Sequence, residues 1–151
     1  MAHLIISVVI FNLAACFIPK NLTRDEMYST SLLAGIFQLL VDIFLDVKYE
    51  LYGYFEYGVD WLSLIPIFGI YPALNIIFLN YYPFSGEAMK KVIYIIGWAV
   101  FALVYEWSSV QAGWFYYNGW KLWYSALCYP AIYFILAKNL ELLRNLKYRR
   151  R

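Results

Sequence analysis

Charge is scarce in this sequence: Lys, Arg, Asp and Glu make up 15% of 151 residues, against about 25% in an ordinary soluble domain. The chain is 64% hydrophobic and 22% aromatic. A water-soluble globule of this size buries only about two-thirds of its surface, so much of that apolar area would face water. The composition excludes a soluble fold, and lipid has to take the excess. Histidine occurs once, at His3, and cysteine twice, at Cys16 and Cys128, with no CxxC pattern or His spacing beside them. A metal centre and a disulfide framework both lack their residues. No HExxH, GxSxG, Walker or GxGxxG pattern occurs, which leaves zinc enzymes, serine hydrolases and nucleotide enzymes without support and points to no cofactor. A formal net charge of +2 offers nucleic acid nothing to bind.

What is present is a series of apolar runs, broken where charge, Pro or Gly clusters. Five helices are predicted within one membrane domain, 1–151: about Ala2 to Ile18, Tyr28 to Val47, Asp60 to Asn80, Lys91 to Ala112 and Gly119 to Ala137. Each is near the roughly 20 residues that cross about 30 Å of hydrocarbon. The expected class is therefore all-α, an integral, multi-pass protein of the cell membrane with five transmembrane helices. Ser29, Thr30 and Ser31 offer cap oxygens for the second helix. The first segment lacks the basic start and small-residue cleavage pattern of a signal peptide and reads as a retained helix. Residues 138–151 read as a basic cytoplasmic tail. With that tail inside, five crossings put the N-terminus outside. Ten of the twelve Lys and Arg residues then fall on the inner side, Lys48 and Lys121 being the exceptions, as the positive-inside rule requires.

The outer side is acidic and aromatic. Asp46, Glu50, Glu56 and Asp60 lie in or beside the second connection, among Tyr49, Tyr52, Tyr54, Phe55, Tyr57 and Trp61. An interfacial aromatic belt accounts for many of the rings but not for the carboxylates. Part of this pattern recurs. Asp46-x6-Gly53-Tyr54-Phe55-x-Tyr57 returns sixty residues later as Glu106-x6-Gly113-Trp114-Phe115-Tyr116-Tyr117, and Tyr71-Pro72-Ala73 returns as Tyr129-Pro130-Ala131. The expectation is a tandem two-helix repeat, helices 2–3 and 4–5, related by an axis along the membrane normal. Chance likeness in a chain so rich in aromatics is the alternative.

Gln38, Asp42 and Asp46 follow at i, i+4 and i+8, which stacks them on one face of the second helix. Ionisable groups within a span face protein or a water-filled cavity and are default site candidates; a hydrogen-bonded strut is the other reading. Glu106 is the one carboxylate of the fourth helix. With aromatic and polar residues in or beside the connection between the fourth and fifth helices, the candidate ligand-binding set is Gln38, Asp42, Asp46, Glu106, Trp107, Asn118, Trp120, Trp123 and Tyr124. Asn12 and Asn75 read as hydrogen-bond glue between helices. Pro66, Pro72 and Pro130 are expected to kink their helices, and His3 reads as an interfacial residue.

Leu79-Asn80-Tyr81-Tyr82-Pro83, Tyr105-Glu106-Trp107 and the block from Gly113 to Ser125 resemble a family of small multi-span membrane proteins of spore-forming Bacillota that has no assigned function. The resemblance implies location and architecture and no chemistry. A fainter similarity, in both repeat copies, is to the membrane domains of carotenoid (lycopene) cyclases. Those domains carry acids directly after a helix Pro, whereas Pro72 and Pro130 are each followed by Ala. Without those carboxylates the groups that would protonate a polyene are missing.

The reading that follows is a membrane protein that binds a small amphipathic or lipid-like ligand, or a partner subunit, in an outward-facing aromatic and acidic cavity. An intramembrane enzyme on a prenyl or lipid substrate and a minimal oligomeric transporter are the alternatives. Membrane lipids are the expected partners, with a homo-oligomer or a membrane subunit as further ones.

Overall fold

The computed structural model describes residues 1–58 and 60–148. Helix α1 runs Ala2–Phe17 and stops where Ile18 turns extended ahead of Pro19. At sixteen residues it reaches about 24 Å, short of the length that crosses a bilayer unaided. The other predicted spans are long and apolar enough: Arg24–Lys48, Trp61–Tyr81, Ala88–Gln111 and Leu122–Lys147. Their apolar residues face outward, as in Val92, Ile93, Ile96, Val100 and Val104 of the span Ala88–Gln111. That inverts the pattern of a soluble protein and suits a lipid surround.

Several boundaries differ from the sequence expectation, each for a local reason. Helix α2 spans Arg24–Asp42, not starting at Tyr28, because Thr23 caps it. The Thr23 hydroxyl accepts from the Glu26 backbone N–H at 3.3 Å, and the Glu26 carboxylate accepts from the Thr23 N–H at 2.9 Å, a reciprocal box that satisfies two donors of the first turn. The helix then widens into a π-helical stretch, Ile43–Lys48. The third span is interrupted. A 3₁₀ turn, Trp61–Ser63, leads into α3, Leu64–Gly69, and α4, Tyr71–Tyr81, follows with Pro72 at its start. Pro72 has no N–H to continue the ladder. Asn12 of α1 donates to the Gly69 carbonyl at this break, at 2.6 Å. Helix α5 spans Ala88–Gln111, and Gly113, at φ +75°, ends it in a left-handed turn.

Helix α6 spans Leu122–Tyr148 and passes through Pro130. The tail expected from residue 138 is thus helical up to Tyr148; Arg149, Arg150 and Arg151 lie outside the described residues. The extension holds because its charges find partners. Arg144 pairs with Glu26 at 2.8 Å, Lys147 with Asp25 at 3.2 Å, and Glu141 with Lys91 at 3.7 Å.

Two short strands break the all-helical expectation. β1, Tyr52–Tyr54, and β2, Phe115–Tyr117, pair antiparallel across one end of the bundle. His3 lies at the same end, its Nδ1 accepting from the Trp114 indole at 3.0 Å. At the other end Asn80 accepts from the Asn21 N–H at 2.7 Å and donates to the Pro19 carbonyl at 2.9 Å. Helix α4 is the hub, packing on α1, α2 and α6. One core cluster, around Phe78, Leu79 and Leu140, sits toward the basic end, and a second, of Leu4, Tyr54, Ile70 and Trp114, sits under the strands.

Candidate functional site

The strand register decides what enters the bundle. Tyr52 lies opposite Tyr117 and Tyr54 opposite Phe115. Side chains alternate along a strand and opposed residues share a face, so these four rings project from one face of the ribbon. The other face carries Gly53 opposite Tyr116. A Cβ on Gly53 would meet the Tyr116 hydroxyl and lie 3.1 Å from Asp46 Oδ1, so glycine leaves the room that Tyr116 occupies.

The inward hydroxyls meet two buried carboxylates. Asp42 Oδ1 accepts from Tyr52 at 2.8 Å and from the Gln38 amide at 2.9 Å, and its Oδ2 accepts from Tyr54 at 3.4 Å. Glu106 Oε1 accepts from Tyr117 at 2.5 Å and from Ser125 at 2.7 Å, while Tyr129 donates to its Oε2. Burial, then the Asp42 charge and hydrogen bond, hold the Tyr52 phenol far above its ordinary pKa. Burial and the Glu106 bond and charge do the same for Tyr117. Both hydroxyls therefore stay protonated and act as donors. The pairing makes Asp42, not Asp46, the hydrogen-bonding counterpart of Glu106. Asp46 is buried one turn further on, within the π-helical stretch, whose wider turn shifts the residue register.

Between the two core clusters lies a cavity of about 120 Å³, bounded by α2, α4, α5, α6 and β2. Phe37, Tyr71, Phe101, Trp114, Phe115 and Tyr133 supply much of its wall, and Gln38, Glu106 and Asn75 are among its polar lining. Tyr71 joins the hydroxyl network through Tyr54, at 3.1 Å. Asn75 is 4% exposed, yet among the described residues neither Nδ2 nor Oδ1 has a hydrogen-bond partner, and the same holds for the Tyr105 hydroxyl. Buried polar atoms are paired in the great majority of cases, and the Asn75 amide on this cavity wall is an exception.

Of the sequence candidates, Gln38 and Asp42 share one hydrogen-bond network and Glu106 holds a second, and Gln38 and Glu106 both line the cavity. Trp120 joins the second at one remove, its indole donating to Ser125 Oγ at 2.8 Å and its ring meeting Tyr52 edge-on. Tyr124 lies against Trp120, and both line a shallow apolar groove outside the cavity. The exposed Asn118 contributes its backbone N–H, which donates to the Leu51 carbonyl at 2.8 Å. Trp107 and Trp123 are more than half exposed, at 55% and 56%, on the outer surface of α5 and α6. Asp46 accepts no side-chain hydrogen bond in either network. Sequence reasoning passed over Asn75, Tyr71, Tyr129 and Tyr117 as site residues. The repeated Tyr-Pro-Ala was the signal for Tyr71 and Tyr129.

Comparison of the chain with protein-family models, with curated proteins and with solved structures returned no match.

Proposed function

We propose that this is a multi-pass protein of the cell membrane that binds a small amphipathic or lipid-like molecule in the cavity between α2, α4, α5 and α6. The observation that carries the reading is the Asn75 amide, buried and unpartnered at the wall of an aromatic cavity. A polar group so placed costs stability unless a ligand or water uses it. In size, a dry cavity of about 150 Å³ takes benzene, and the 120 Å³ here suits one ring, a headgroup or the end of a chain.

In this reading the chain crosses five times, with α1 spanning by local thinning of the bilayer. The strand end faces outward and the basic end inward, in accord with the positive-inside rule. The antiparallel pairing of β1 with β2 and the matched carboxylate networks support a duplicated helix pair, with Asp42 as the counterpart of Glu106.

Native mass spectrometry of the purified protein tests the binding reading. The wild type is expected to retain a small molecule that Ala102→Phe, which fills the cavity from α5, releases while keeping its helical circular dichroism. A wild type that carries no small molecule, from either detergent or lipid nanodiscs, overturns it.

A further inference from the structure

The charge balance around the cavity narrows the ligand class, an inference that rests on the binding reading above. The ion pairs among the described residues involve Asp25, Glu26 and Glu141, all at the basic end. Asp42 and Glu106 pair with no Lys, Arg or His there. Every bond they accept comes from a neutral group: one amide and two hydroxyls on Asp42, three hydroxyls on Glu106. Such bonds solvate a carboxylate without cancelling its charge.

Glu106 lines the cavity. Its Oε2 accepts one bond, from Tyr129, and a carboxylate oxygen has room for two. Asn75 Oδ1 is a second acceptor without a donor on the same cavity. Aromatic side chains line this cavity, and the π faces of such rings attract cations. An unused pair of acceptors, an uncompensated carboxylate and an aromatic wall together match one kind of group.

We propose that the cavity takes a small organic ammonium ion, a primary amine whose N–H groups bond Glu106 Oε2 and Asn75 Oδ1 and whose apolar body lies among the rings. A primary amine fits better than a quaternary one because both acceptors call for N–H donors. A free amine and the ethanolamine headgroup of a phospholipid share this chemistry.

The test uses 2-phenylethylammonium and its neutral isostere 2-phenylethanol, each titrated against the purified wild type in an uncharged detergent while the thermal midpoint is followed. The ammonium is expected to bind at least about tenfold more tightly, the worth of a charge-assisted hydrogen bond, and Glu106→Gln is expected to abolish that difference. Should Glu106→Gln fail to fold, the wild-type comparison of the two compounds still decides. Equal affinity for the two overturns the ammonium assignment and leaves ligand binding standing. No shift with either overturns the ammonium assignment, while native mass spectrometry decides the binding reading. The same titration in nanodiscs of phosphatidylglycerol, with and without phosphatidylethanolamine, separates the sources. Loss of the ammonium shift when phosphatidylethanolamine is present identifies the headgroup as the occupant, and an unchanged shift identifies a free amine.

Discussion

Replacing Asn75 by Leu should make the ligand-free protein more stable. Both amide atoms are buried and unpartnered, and an unsatisfied buried polar group costs about 1–3 kcal/mol. Leu has the same branched skeleton as Asn, with methyl groups where the amide O and N stand, and the neighbouring cavity gives the bulkier methyls space. The substitution removes the penalty and adds apolar contact with Leu74, Ile132 and Leu136, which line the same cavity. A net gain of about 1–3 kcal/mol raises the midpoint by on the order of 5 °C in a chain of this length. Asn80→Leu is the control. Asn80 sits in the same helix at the same 4% exposure, but it serves the Asn21 N–H and the Pro19 carbonyl. Its loss strands both and should cost about 1–3 kcal/mol. Thermal unfolding of both variants in detergent, followed by tryptophan fluorescence, reads the two signs. A fall in midpoint for Asn75→Leu like that for Asn80→Leu would refute the reasoning, because it would mean that the Asn75 amide is engaged in the native state.

Reporter fusions placed after Phe55 and at the C-terminus should report opposite sides of the membrane, the first external and the second cytoplasmic; the same side for both would rule out the five-span arrangement. Glu106→Gln, whose amide oxygen still accepts from Tyr117 and Ser125 and whose NH2 donates to the Tyr129 oxygen in place of the present bond, should leave the fold nearly intact, whereas Glu106→Leu strands all three hydroxyls and should cost on the order of 3 kcal/mol or more. Equal midpoints for these two variants would demote the network. Arg144→Ala should cost about 1–3 kcal/mol, less than a fully buried pair, since it leaves the buried Glu26 without its guanidinium and uncovers the Phe84 ring; the thermal midpoint of the variant measures it, and an unchanged midpoint would show the α2–α6 pair to be dispensable. Gly53→Ala should displace Tyr116 and cost about 1–3 kcal/mol by overpacking, seen as a lowered midpoint and a changed near-ultraviolet spectrum.

The sequence alone was enough for the helices of spanning length. A stretch of twenty apolar residues in lipid has one way to satisfy its own backbone, and that requirement is local. Of the three prolines expected to kink their helices, Pro72 stands at a break, whereas Pro66 lies within α3 and Pro130 within the continuous α6. Asp42 and Glu106 were legible as hydrogen-bonded groups, because a carboxylate inside an apolar run must be answered by something. The start of α2 was also readable in principle, from the Thr23-x-x-Glu26 spacing, though the serines and threonine from Ser29 to Ser31 drew attention away from it.

What the tertiary structure decided is how the charged groups are answered. The strands β1 and β2 are three residues each and sixty residues apart, and nothing in either marks the other as its partner. Pairing exists only once α2 and α5 have brought their ends together, and its register then selects which tyrosines turn inward. Asn75 read as ordinary interhelical glue because residue type shows what a side chain can bond and not whether a partner is within reach. The helical course of residues 138–148 was hidden likewise, since Glu141, Arg144 and Lys147 look like a solvated tail until Asp25, Glu26 and Lys91 stand beside them. Backbone satisfaction is settled within a few residues along the chain, whereas a buried polar side chain is settled by neighbours from other helices, and only packing puts those in place.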